Sequence, residues 1–228
     1  MDFNHFLTSY MPNPNVGSKV HFQNMIEQSI LAEKLGYKKV SIPEHHLINL
    51  LMMPSPLQMA VKIASLTKNI SISTSVAVLP LHDMRTYAGE VATADILTDG
   101  RLILGVARGA FPWEMKRLGT PIEHSKEKFT ESLEVLQKLL TDEEVSFNGK
   151  YYNFEALTIM PRPITKPIPI MIAAMDPNSI KNAALRGFHV QSTVLSGTRE
   201  LLMERVNAFR DGCEELGEKG KLLKLSMQ

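Results

Sequence analysis

The sequence predicts an α/β fold of the (β/α)8 TIM-barrel class, truncated after six βα units and the start of a seventh strand. Three observations carry this. Short runs rich in β-branched residues alternate with segments of helical period, which implies parallel strands and right-handed crossovers. The first run is followed by MPNPNVG, not by the G-x-G-x-x-G turn of an open dinucleotide-binding sheet. The runs also end on polar and titratable residues, which is where barrel chemistry sits.

Each element has a local reason. Residues 3–9 (FNHFLTS) form a first strand, followed by a Pro/Asn/Gly loop from Pro12 to Gly17. Over 21–35, Phe22, Met25, Ile26, Ile30 and Leu31 recur at helical spacing, and Gly36 is placed to cap the helix. KKVSIP is a second strand, ending in Glu44-His45-His46. A proline-led helix covers about 56–68, and NISISTSVAVLP supplies the β-branched third strand. A helix over 84–97 and the turn Thr98-Asp99-Gly100 lead into RLILGVA, a fourth strand that runs into Arg108-Gly109.

The alternation then continues after an interruption. Residues 125–140 form an amphipathic helix with Ser125 as its N-cap. Residues 143–167 read as a hairpin around Asn148-Gly149 and an extended, proline-punctuated stretch. IPIMIAAM, helix NSIKNAALRG, HVQSTVL and a helix over about 198–216 complete six units, and KLLKLSMQ begins a seventh strand. The expectation is one barrel domain over residues 1–228, incomplete at its C-terminus. A barrel open there would leave an unpaired strand edge, and about 100 further residues would close it.

Bulk composition narrows the function classes. With 25 basic and 24 acidic residues, and no basic run interleaved with aromatics, nucleic acid is not an expected partner. No apolar stretch nears the roughly 20 residues that span a bilayer, and the N-terminus lacks a signal-peptide pattern. One cysteine, Cys213, suits a reducing compartment. The expected protein is soluble and cytoplasmic, with no membrane partner.

The strand ends list the candidate site: Thr8 and Ser9, then Glu44-His45-His46, then Thr74-Ser75, then Ala107-Arg108-Gly109, then Ala173-Ala174-Met175, then Ser192-Thr193. Such a ring suits a ligand with an aromatic body and an anionic tail. Arg108 can fork onto a phosphate, or it can pair with Asp95 or Glu114. Asn178 and Ser179 open a helix whose free N–H groups and dipole favour a phosphate, unless Ser179 merely caps it. For Glu44-His45-His46 the choices are a metal site, an acid–base site or a hydrogen-bond network. Adjacent histidines on an extended strand point to opposite sides, and no H-E-x-x-H occurs, so no metal is expected. One histidine facing the mouth leaves the other to support it. Phe6, Phe111 and Trp113 suggest an apolar rim.

The strand-end PEHH, the block STSVAVLPLHDMRTYAGEVATADILTDGRLILGVARGAFPWEMKRLG and the stretch PIPIMIAAMDPNSIKNAALRG resemble, in order, the bacterial luciferase-like flavin-dependent monooxygenase family. The resemblance runs over essentially the whole chain. It implies a barrel that binds reduced FMN, delivered by a separate flavin reductase, and uses O2 to oxygenate a small hydrophobic aldehyde or ketone. It further implies that His45 acts beside the flavin and that Arg108 holds the FMN phosphate. Ala174, Met175 and Ser179 complete the phosphate cradle, and Thr74-Ser75 stands where a non-proline cis peptide supports the flavin ring. Homodimers through the helices flanking strands 2–4 are implied too, with Ala88, Gly89, Ala92 and Ala94 as a small-residue face or as ordinary packing. The chain has Ala107 where the luciferase α chain has a reactive cysteine, so light emission is not implied. The alternatives are a deazaflavin-dependent oxidoreductase on the same barrel and a non-catalytic flavin-binding relative.

Overall fold

The computed structural model describes residues 2–49 and 51–228. The chain divides into two compact units, residues 1–104 with 108–168 and residues 105–107 with 169–228. In the first, β1 (Asn4–Phe6), α1 (Ser18–Lys34), β2 (Lys39–Ile42), α2 (Pro56–Ala64) and β3 (Ser71–Thr74) alternate as predicted. A two-residue strand β4 (Ala77–Val78) and a 3-10 turn (Leu79–Leu81) lead to α3 (Met84–Leu97) and β5 (Leu102–Ala107), whose first three residues belong to this unit. Helices α4 (Pro112–Arg117) and α5 (Ile122–Thr141) and the strands β6 (Val145–Asn148) and β7 (Asn153–Leu157) follow.

Strands β1, β2, β3 and β5 pair in parallel, Asn4 with Lys39, Lys39 with Ser71, and Ile72 with Leu102, whereas β6 and β7 pair antiparallel. All four residues of β2 are buried, as a parallel strand covered on both faces requires. Its core joins Val40, Ile42 and Ile72 to Met25 and Ile26 of α1 and to Met59, Ala60 and Ile63 of α2. Arg101 clamps the helix–strand turns from one guanidinium, donating to Ala64 O at 2.8 Å and Thr98 O at 3.0 Å. Buried Asp95 accepts the N–H groups of Ile164 and Thr165, both at 2.8 Å, which pins the proline-punctuated stretch after β7.

One expectation needs correction, and one helix is added by the structure. Ser125 does not cap α5, because the helix starts at Ile122 after Pro121. Ser125 Oγ instead donates back to Ile122 O at 2.7 Å, as serine does inside a first turn. Helix α4 was not predicted: six residues are too few to show a period, although Pro112 at its first position is a fitting start. The predicted hairpin forms at Asn148-Gly149, β6 and β7 pairing antiparallel, and its turn runs over Gly149–Tyr152, with Gly149 N–H donating to Tyr152 O at 2.8 Å. Glu131 sets this turn, accepting the N–H groups of Lys150, Tyr151 and Tyr152, and a side chain at Gly149 would collide with it.

The second unit contains β8 (Ile170–Ala173), α6 (Pro177–Leu185), β9 (His189–Ser192), α7 (Arg199–Leu216) and β10 (Leu225–Met227). Met171 pairs with His189 and Leu225 with Val190, again in parallel, so the seventh strand forms where KLLKLSMQ predicts it. Arg205 of α7 is 4% exposed. It donates to the carbonyls of Met175 (2.7 Å), Thr193 (2.9 Å) and Ser196 (2.9 Å), fixing the loops after β8 and β9. In each unit consecutive parallel strands alternate with helices, the pattern of a (β/α) barrel. Among the described residues no helix is long and apolar enough to cross a membrane.

Candidate active site

Strand β2 ends at Ile42, and Pro43 turns the chain so that Glu44, His45 and His46 leave the ladder together. His45 is held by its backbone, whose N–H donates to Met53 O at 2.9 Å in an antiparallel bridge. Glu44 is 2% exposed, so its charge has to be met inside the protein. Its Oε1 accepts His46 Nε2 at 2.7 Å and His82 Nε2 at 2.8 Å, and its Oε2 accepts Val78 N–H at 3.0 Å. Burial by itself pushes this carboxyl up, but the imidazole donors more than offset it and bring the pKa to about 2. The hydrogen bond that its ring donates to Glu44 raises His46 from its ordinary value, against the pull of burial.

His82 lies 38 residues from Glu44 in the chain, and the fold brings the two together. Its ring stacks on buried Tyr87 at 4.3 Å between centroids. The three donor atoms of Glu44, His46 and His82 lie within 4.8 Å of one another. Each imidazole nitrogen is within hydrogen-bond distance of the shared oxygen, so the group works as a buried anion held between two rings.

His45 stands differently. Its side chain is 22% exposed and its ring packs edge-on against Phe111, 5.2 Å between centroids. Its Nδ1 is buried and has no hydrogen-bond partner among the described residues, lying 3.7 Å from Glu114 Oε2. Burial pushes His45 below its ordinary value, while Glu114 and then Glu44 pull it back up. His46 is thus tied to Glu44, whereas His45 Nδ1 makes no hydrogen bond among the described residues.

Glu114 was weighed in the sequence only as a partner for Arg108. It sits on α4 instead with one oxygen on the backbone N–H of His46. Asp95, the other suggested partner, serves the 164–165 backbone. Arg108 is exposed and makes no ion pair among the described residues, so its guanidinium is available for an anion. Gly109 has φ +90°, and a side chain there would strike Met115 and Val78. Its role is therefore to let the loop turn tightly over α4.

Thr74 is fully buried and Ser75 nearly so. Ser75 N–H donates to Ile42 O at 2.6 Å, which sets this segment beside the start of Glu44-His45-His46. The non-proline cis bond is Ser75–Val76, one position beyond the pair predicted to hold it.

The other three predicted contacts belong to the second unit. Ala174 N–H donates to Gln191 O at 2.9 Å, and Met175 is 56% exposed. Ser179 does not present free donors at the start of α6. Its N–H and Oγ both donate to Asp176 Oδ2 at 2.9 Å, so Asp176 is the cap.

A family model described as luciferase-like monooxygenase matches residues 1–226. The oxygenase component of the flavin-dependent trigonelline monooxygenase of Acinetobacter baylyi is 31% identical, over 85% of this chain and 54% of its own length. The F420-dependent glucose-6-phosphate dehydrogenase of Amycolatopsis mediterranei is 29% identical, over 84% of this chain and 60% of its own. Among solved structures, the oxygenating constituent of 3,6-diketocamphane monooxygenase from Pseudomonas putida, in complex with FMN, superposes with a TM-score of 0.84. It is 21% identical, over 95% of this chain and 63% of that one. The chain therefore spans a little over half the length of these curated relatives.

Proposed function

Because the chain belongs to the luciferase-like monooxygenase family, we propose that it is the barrel part of an FMN-dependent monooxygenase acting on a small hydrophobic aldehyde or ketone. One observation carries this reading: in the same unit stand a half-buried histidine and an exposed arginine, and among the described residues the histidine Nδ1 has no hydrogen-bond partner and the arginine no ion pair. An imidazole of that kind can exchange a proton near neutral pH, and a guanidinium of that kind can fork onto phosphate. These residues fit FMN, whose ring is apolar and whose tail is anionic. When bound, reduced FMN supplies the electron pair that activates O2.

The chain's own residues do the remaining work. Arg108 holds the phosphate. His45 takes a proton from the bound compound and returns it. Glu44, His46 and His82 hold the segment on which His45 stands, and Phe111 shields one face of its ring. Thr74 and Ser75 support the flavin ring through the backbone, since their side chains are buried. A separate flavin reductase supplies the reduced cofactor, consistent with a relative that is named as an oxygenase component.

Replacing Arg108 by alanine is expected to weaken FMN binding by about 1.5–3 kcal/mol, the worth of a hydrogen bond to a charged group. Fluorescence titration of FMN checks it, and an unchanged affinity removes Arg108 from the site. The test of the reaction is incubation with chemically reduced FMN, 18O-labelled O2 and a panel of aldehydes and cyclic ketones. Labelled product supports the reading, and its absence with every substrate despite bound FMN overturns it. The F420-dependent relative favours a second reading, hydride transfer with a deazaflavin. A spectral titration with each cofactor separates the two.

We also propose a homodimer through α2 and α3. Of the four small residues on α3, Ala88, Ala92 and Ala94 are buried in their own chain, so close helix approach rests on Gly89. Beside it runs a groove lined by Leu57, Val61, Thr93, Leu97 and Met160. Leu97 and Met160 are 54% and 76% exposed, which leaves apolar surface for a second copy to cover. Light scattering is expected to give twice the chain mass, and Thr93→Arg to halve it. A monomeric parent protein would exclude this interface.

A further inference from the structure

Glu114 is the buried group whose role the proposed reaction leaves open. It is 3% exposed, and a carboxylate so deep is costly unless its surroundings use it. One oxygen accepts the backbone N–H of His46, which ties α4 to the segment after β2. That contact is structural, and a neutral amide could make it equally well. The second oxygen is different. Oε2 lies 3.7 Å from Nδ1 of His45, beyond hydrogen-bond range but close enough for strong charge interaction. That nitrogen has no other partner among the described residues. Phe111, the residue just before α4, packs on the same ring, so a slight turn about the side-chain bonds would close the gap.

We infer that Glu114 is the positioning residue of His45: it turns Nδ1 toward itself and supplies the counter-charge that the imidazole needs when it takes up a proton. The inference rests on the reading of His45 as the acid–base group. It gives the arrangement a carboxylate–imidazole logic in which one end of the ring is steered and the other is free to react. The groups that face His45 are Glu114 from α4 and Glu44 and His46 from its own segment. Glu114 and Glu44 favour the protonated ring, whereas His46 and burial oppose it. Removing the Glu114 charge therefore leaves the opposing influences stronger, and the imidazole becomes harder to protonate.

The test is an NMR titration of the His45 ring in the flavin-free protein, with its signals assigned by their loss in His45→Gln. Glu114→Gln keeps an oxygen for the His46 N–H and deletes the charge. Its His45 midpoint is expected to move to lower pH than in the parent. Glu114→Asp, with the charge drawn back by one methylene, is expected to fall between the two. An unchanged or raised midpoint in Glu114→Gln overturns the inference and leaves Glu114 a structural tie. Should Glu114→Gln fail to fold, the Glu114→Asp midpoint decides by the same comparison. The titration uses no cofactor, so a protein that failed to bind FMN would sink the proposed reaction and not this result. In the active protein, the acidic limb of the rate profile is expected to move with the midpoint in Glu114→Gln while FMN affinity stays that of the parent.

Discussion

Replacement of His45 by alanine is expected to lower oxygenation with supplied reduced FMN by about 10²–10⁴-fold, the usual contribution of a positioned acid–base group. FMN affinity is expected to stay near that of the parent, because the phosphate contact lies on Arg108. The fold should survive. The His45 N–H donates to Met53 O through the backbone, and the ring makes no hydrogen bond among the described residues that its loss would orphan. What goes is a half-buried imidazole held by burial below its ordinary pKa, hence neutral at pH 7 and ready to accept a proton. In the parent, rate falls as pH drops through that lowered value. In His45→Ala the acidic limb is expected to vanish with the activity. Single-turnover oxygenation across pH checks both points, and full turnover in the variant would remove His45 from the chemistry.

Glu44→Gln is expected to act on stability first. The carboxyl has an ordinary pKa of 4.5 and a folded value of about 2, a difference worth roughly 3 kcal/mol at neutral pH. The sign follows from the depressed value. The contribution is fully present above about 4.5 and is lost as pH falls toward about 2. His46 works in the opposite sense: its pKa is raised, so its share is present below 6.5 and fades as pH rises through the folded value. Both shifts describe one set of hydrogen bonds and do not add. Urea unfolding of parent and variant is therefore expected to differ most between about pH 4.5 and 6.5 and to converge in strong acid. A difference that ignored pH would mean that Glu44 contributes shape and not charge.

Local chemistry was legible wherever neighbours in the chain decide the outcome. Helix α3 runs from Met84 to Leu97 as its period predicts, with Asp83 capping it and Asp99 and Gly100 at positive φ beyond it. Its limits lie in a handful of adjacent residues, and so does the alternation that identifies a parallel fold. Ser125 shows the boundary of this reading. A serine near a helix start is a good cap by type, but Pro121 had already opened α5, and one local preference overruled another.

The site divides along the same line. PEHH, the arginine ending its strand and the family resemblance were all present in the sequence. That His45 and His46 would differ in role is an expectation drawn from two adjacent rings being unable to face the same way. What only the tertiary structure decided is the company they keep. Glu44 meets His82 across 38 residues, and His46 meets Glu114 across 68. No period or spacing encodes such pairs, because they exist only once β2, the 3-10 turn before α3 and the loop into α4 have packed. The burial that makes Glu44 an anion held between two imidazoles, and that sets Glu114 Oε2 3.7 Å from His45 Nδ1, likewise belongs to the folded chain. Water screens those charges in the extended chain, and their exclusion from it in the folded one gives them their strength.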